Sequence, residues 1–230
     1  KMDSKNWRYA FALAEDFFHS GDTSNALSII KKTCNQNPQN YFAGMLLAQI
    51  LNAQKDYDKS IDLLQDLKIL PYEHATEGRN IYIQAYVGSA LQNVSKGKTD
   101  LAEDRLNTAL LWPEHLGVGK PFDPEERWER FLLAHLHQKK GKMKAFEMEL
   151  NQVSNYCVKQ LSKPSKKHLL GIYALQQTQG KEEAQEFIAQ LLGSKHGMSK
   201  TTRELVQYYY ENSSLEWNTS FIEKLALFLN

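Results

Sequence analysis

The sequence predicts an all-α chain, a right-handed superhelix of antiparallel helical hairpins. Two observations lead there. Apolar residues recur at helical spacing in short runs broken by Gly-containing turns and prolines, and the pattern repeats about every 34 residues. Only 12 Gly and 6 Pro occur in 230 residues, too few for an all-β domain with many tight turns.

The first unit spans residues 7–40. Ala10, Leu13, Ala14 and Phe17 form one apolar stripe, which stops at Ser20-Gly21-Asp22. Ala26, Ile30 and Thr33 form a second, which ends at Asn37-Pro38. Glycine after a helix and proline past the next are stop signals. In the second unit (41–72), 34 residues on, Gly44, Leu47, Ala48 and Leu51 take the first stripe. Lys55-Asp56-Tyr57 replaces the Gly-Asp turn, and Ser60, Leu64 and Leu67 lead to Leu70-Pro71.

This pattern resembles the tetratricopeptide repeat. Ala10, Leu13, Ala14, Phe17, Ala26, Ile30 and Pro38 fill the family's small and large apolar places in the first unit. Small residues let the helices of a hairpin approach closely, and larger ones fill the gap to the next hairpin. Ala26 is thus expected at a close helix contact.

A third unit (81–113) follows extra residues around Glu73–Asn80. It carries Tyr86, Ser89 and Ala90, a break at Lys96-Gly97-Lys98, and then Ala102, Leu106 and Ala109. The fourth (126–157) runs from Trp128 through Leu133, Ala134 and His137 to Lys140-Gly141-Lys142, then Phe146, Leu150 and Val153. The fifth (166–193) has Leu169, Ile172 and Tyr173, breaks at Gly180-Lys181, and continues through Ala184, Ile188 and Leu191. In the last two units the small residue sits one place early, so the register there is open by a residue. Stretches near Thr202–Glu211 and Thr219–Leu229 read as terminal capping helices (199–230). The expectation is one repeat domain over 1–230, a piece of a longer protein.

Leu111–Pro124 breaks the pattern. Its three prolines and two glycines cannot form a helix, and its length exceeds a repeat junction. Trp112, Leu116 and Phe122 need apolar company, so the loop is expected to be ordered against units three and four, with Trp112, Glu114, His115 and Lys120 as its functional side chains. The segment also resembles a Tyr-Pro-Glu-Asn-Leu-Gly-x-Gly-Lys stretch of large bacterial tetratricopeptide proteins. Pro113, Glu114, Leu116, Gly117, Gly119 and Lys120 match; Trp112 replaces the tyrosine and His115 the asparagine. Those proteins carry a β-rich domain on the N-terminal side and occur in carbohydrate-related contexts. The resemblance implies an alternative role: a non-catalytic part of a carbohydrate-active enzyme, with loop 112–124 supporting a site on another domain.

Catalytic and metal chemistry were sought as well. The seven histidines never stand four apart on one helix face, so zinc is not expected. Glu125-Glu126 sits where a helix starts and suits the positive end of the dipole. Gly117-Val118-Gly119-Lys120 lacks phosphate-loop spacing. Cys34 and Cys157 read as two buried small hydrophobes. No cofactor and no catalytic residue is expected. Asn93-Val94-Ser95, Asn212-Ser213-Ser214 and Asn218-Thr219-Ser220 fit glycosylation sequons.

The formal net charge of +1 gives no field to gather nucleic acid. No apolar run reaches the roughly eighteen residues of a membrane span. The opening Lys1-Met2-Asp3-Ser4 has no apolar signal-like run, which slightly favours the cytoplasm and leaves open a targeting signal outside this piece.

The leading functional expectation is a protein-interaction scaffold that holds a peptide or partner domain in a concave groove. In register, the first helix of each unit lines it: Arg8, Phe11, Glu15 and His19; Phe42, Met45, Gln49 and Asn52; Gln84, Val87 and Leu91; Trp128, Phe131 and His135. The lining is mixed and aromatic. It lacks the Lys/Arg run that would clamp a terminal carboxylate, so an extended or helical apolar segment is the expected ligand. Trp112 and Trp128 could also stack on a sugar face, which leaves carbohydrate as a weaker option.

Overall fold

A computed structural model describes residues 6–71, 75–194 and 198–211. These residues form eleven α-helices and one 3₁₀ turn, and no strand occurs among them. The helices are α1 (Trp7–His19), α2 (Thr23–Gln36), α3 (Tyr41–Ala53), α4 (Tyr57–Asp66), α5 (Glu77–Ser95) and α6 (Thr99–Ala109), then α7 (Arg127–Lys139), α8 (Met143–Lys159), α9 (His168–Thr178), α10 (Lys181–Gly193) and α11 (Lys200–Glu211). The chain divides into two compact units at Pro124/Glu125: α1–α6 with the long loop, and α7–α11.

The sequence opens and closes each hairpin by the same chemistry. Asn6, Asp22 and Asn40 accept backbone N–H bonds at the starts of α1, α2 and α3, satisfying donors that a helix leaves open. Each odd-numbered helix from α1 to α9 ends in a backbone bond reaching five residues back. Asp22 donates to Phe17 at 2.9 Å, Asp56 to Leu51 at 2.9 Å, Lys98 to Asn93 at 2.8 Å, Lys142 to His137 at 2.8 Å and Gly180 to Leu175 at 3.1 Å. In the first four turns this bond needs a left-handed residue, supplied by Gly21, Gly97 and Gly141, and in the second hairpin by Lys55 at φ +61°. Lys55 therefore occupies the backbone state that glycine takes in its sister turns.

In the first unit the hairpin contacts are small-to-large. Ala14 of α1 and Ala26 of α2 are fully buried, together with Ile30, Ala43 and Ile50. Leu13 departs from expectation: it lies in the first stripe yet is 49% exposed, because it is on the outward flank of the first described helix. The third unit starts earlier than its apolar stripe indicated, since Glu77–Asn80 are the first turn of α5 rather than a loop. Polar ties join successive hairpins. The Gln54 amide reaches the Thr23 carbonyl at 3.5 Å, the Gln92 amide the Lys55 carbonyl at 2.9 Å, and the Asn52 amide the Ile81 carbonyl at 3.1 Å.

The second unit buries Leu133, Leu150, Val153, Cys157, Leu170 and Leu191 completely. α8 packs against both α7 and α9, α10 against α9, and α11 against α10. The expected capping stretch Thr202–Glu211 falls on α11, while Thr219–Leu229 lies outside the described residues.

Candidate partner-binding surface

The first turns of α1 and α3 bring their aromatics together. The Trp7 ring stacks on Phe42 at 6.5 Å and 12°, and meets Phe11, one helical turn along, edge-on at 6.2 Å. The Arg8 guanidinium lies 4.8 Å from the Trp7 ring centre. Tyr41 flanks Phe42 at 4.3 Å. Phe42 remains 43% exposed, Arg8 is exposed, and Trp7 and Phe11 are half-buried. The result is an aromatic strip with one cation, half open to water. The sequence signal for this pairing is Trp7 standing one helical turn before Phe11.

The expected groove residues separate into two groups. Arg8, His19, Phe42, Gln84 and Leu91 are exposed, and Phe11, Glu15, Gln49 and His135 are half-buried. Met45, Asn52, Val87, Trp128 and Phe131 are buried, which corrects their assignment to an open lining. The reasons are local. Asn52 is spent on the Ile81 carbonyl between hairpins. Met45 and Val87 are apolar side chains on the inner faces of α3 and α5. Phe131 is enclosed by Trp128 at 5.8 Å, His135 at 4.4 Å and Tyr173 at 5.4 Å. Burial pushes the His135 imidazole below its ordinary pKa, against the pull of its bond to the Phe131 carbonyl.

The loop after α6 is ordered by two anchors. Buried Arg79 donates to the Ala109 carbonyl at 2.7 Å and lies 4.5 Å from the Trp112 ring centre, while the Tyr82 hydroxyl donates to the Thr108 carbonyl at 2.9 Å. Together they satisfy carbonyls at the negative end of α6. The second anchor is the connection between α4 and α5. The Ile69 N–H donates to the His115 carbonyl at 2.8 Å, the His115 ring bonds the Leu64 carbonyl at 3.1 Å, and Leu116 is 1% exposed. Gly117, at φ +81°, closes the 3₁₀ turn Glu114–Leu116 where any side chain would meet Ile69. The loop thus leans on the connection before α5 as well as on α6; Glu114 and Lys120 are exposed, and His115 is exposed while its ring turns back to Leu64. Phe122 contradicts its expected burial: it is fully exposed. Pro121 and Pro124 bracket it in a segment that none of these anchors reaches.

Among the described residues no three His, Cys, Asp or Glu side chains gather to hold a metal, and no helix is long and apolar enough to cross a membrane. Cys34 and Cys157 are free thiols; Cys157 is buried, whereas Cys34 is only half-buried, its thiol pushed up to about 11 by desolvation. Glu126 precedes α7 and pairs with Arg130 at 2.7 Å, and Glu125 pairs with Arg127. Asn93 of the first sequon is buried, its amide bonded to the Ser89 carbonyl; the other two sequons lie outside the described residues.

Hairpins of similar length, closed by one recurrent turn and joined by small residues in the first stripe, decide the repeat type. They are tetratricopeptide-like. Residues 1–67 match the model of a family described as anaphase-promoting complex, cyclosome, subunit 3. Among solved structures, the chain is similar to one titled "Crystal structure of APC/C hetero-tetramer Cut9-Hcn1", at 12% identity and a TM-score of 0.38. That similarity covers 90% of this chain and 43% of the other, so this tetratricopeptide-like chain spans under half of its length. No curated protein matches the chain.

Proposed function

We propose that this chain is a protein-interaction scaffold whose first unit receives an apolar segment of a partner on the strip formed by Trp7, Arg8, Phe11 and Phe42. One observation carries the reading: a stacked Trp–Phe pair and a cation are held half-exposed on the first helices of two successive hairpins. Aromatic and Arg side chains dominate binding energy where a partner can desolvate them. Glu15 and His19 on α1, Gln49 on α3, and Gln84 and Leu91 on α5 are its further contacts, and Glu114, His115 and Lys120 on the loop form a second contact surface. The family model over residues 1–67 describes a subunit of a multiprotein complex, which supports the same reading.

Quantitative affinity capture tests it. Phe42→Asp should reduce recovery of the wild-type partner set at least about tenfold, the size expected when a hot-spot aromatic is lost. Leu101→Asp, at an exposed position of α6, should leave recovery unchanged. Equal recovery by both variants would exclude the strip.

A further inference from the structure

In the second unit, Arg127 in the first turn of α7 gathers groups from three other segments. Its guanidinium donates to Glu125, to Ser165 Oγ at 3.3 Å, to Cys157 Sγ at 3.4 Å and to His168 Nδ1 at 3.2 Å. The Tyr156 ring lies against it at 4.9 Å. His168, the first residue of α9, is fully buried, with its ring stacked on Phe187 of α10. Its Nδ1 also accepts the Ser165 backbone N–H at 3.0 Å. Two N–H donors, one of them a cation, thus converge on one ring nitrogen, which needs its lone pair free. A proton on Nδ1 would find the Ser165 carbonyl at 3.2 Å, but only against both donors.

We infer that Arg127 and His168 form an acid-released clasp: protonating His168 opens the connection between α8 and α9, residues 160–167, while the helices of the unit stay formed. The charged groups acting on His168 are Arg127 and Glu125, which in turn hold Cys157 and Lys167; Phe187 faces the ring from α10. Arg127 opposes a second cation. Glu125 would favour one, but its carboxylate is held by Arg127 and lies 3.7 Å from Lys167.

The proton energetics agree. Burial, followed by the charge of Arg127, lowers His168 from 6.5 to about 4, against the Ser165 and Gln160 carbonyls and Glu125. The opened segment exposes the ring to water, where it takes a proton below about 6.5. The clasp is therefore intact above that value and weakens as pH falls toward 4. The difference corresponds to an opening equilibrium raised on the order of a hundredfold across that window.

Amide hydrogen exchange on this chain, corrected for intrinsic rates, tests the clasp between pH 7 and 4. Protection across residues 160–167 should fall at least about tenfold in acid while the interiors of α7 and α8 keep theirs. His168→Asn retains an acceptor oxygen near the place of Nδ1 and cannot take the proton, so its protection should stay flat over the same window. Loss of protection in His168→Asn equal to wild type would overturn the clasp, as would simultaneous loss in every helix of the unit. Should that variant fail to fold, the ring-proton titration of His168 in the wild type decides: a midpoint near 6.5 overturns the proposal, and one near 4 supports it.

Discussion

Gly171 of α9 faces Cys157 of α8 so closely that a Cβ on the glycine would stand 2.6 Å from both the Cβ and the Sγ of the cysteine. The fifth hairpin therefore has a small residue where α9 meets α8 of the preceding hairpin. Gly171→Ala should destabilise the second unit by about 1–3 kcal/mol, because Cys157 is fully buried and its Cβ is tied to the backbone. Denaturant unfolding measures it; a wild-type midpoint would mean that the two helices separate without strain.

Lys55 makes the opposite kind of prediction. It holds φ +61° at a place where the first, third and fourth hairpins use glycine. A side chain there carries steric strain that glycine lacks, partly offset by glycine's greater freedom in the unfolded chain. Lys55→Gly should raise stability by about 0.5–1 kcal/mol, read as a higher denaturation midpoint at an unchanged slope.

The long loop is pinned through His115, whose carbonyl accepts from Ile69 and whose ring reaches the Leu64 carbonyl. Limited proteolysis should spare Glu114–Leu116 in the wild type. His115→Ala keeps the backbone bond and loses the ring bond, a change of about 0.5–1.5 kcal/mol. It should speed cleavage in that stretch and lower the global unfolding free energy by no more than that amount. Rapid wild-type cleavage there would show a mobile spacer instead.

Glu125 adds an acid limb below that of His168. Burial works to raise its carboxyl, but the hydrogen bond from Arg127 and the charge of Lys167 outweigh it and hold the folded pKa below the ordinary 4.5. The unfolded state therefore takes the proton first as pH falls. The contribution is full above the ordinary value and lost as pH drops through the folded one. Glu125→Gln should flatten stability against pH below about 4.5 and leave the window between 6.5 and 4 in place. Urea unfolding across pH 3–7 separates the two limbs.

The sequence by itself determined the helices and the type of hairpin. Apolar spacing, the glycine turns and the prolines are local signals, and each reports the backbone within a few residues of itself. Ala14, Ala26 and the turn at Gly21 could be read that way because one small residue or one glycine carries the whole constraint. Tertiary structure decided everything that depends on a neighbour distant in the chain. Phe42 and Trp128 are aromatic residues at the same place in their helices, the second residue of α3 and of α7, yet Phe42 lies on an open strip and Trp128 is buried against Phe131. Leu116 and Phe122 share one loop, and only Leu116 is buried, its carbonyl lying close over Gly78 far upstream. Arg127 and His168 stand 41 residues apart, and no local pattern marks a cation and an imidazole that share one hydrogen bond. Burial and pairing depend on what packs opposite, which helical periodicity does not encode.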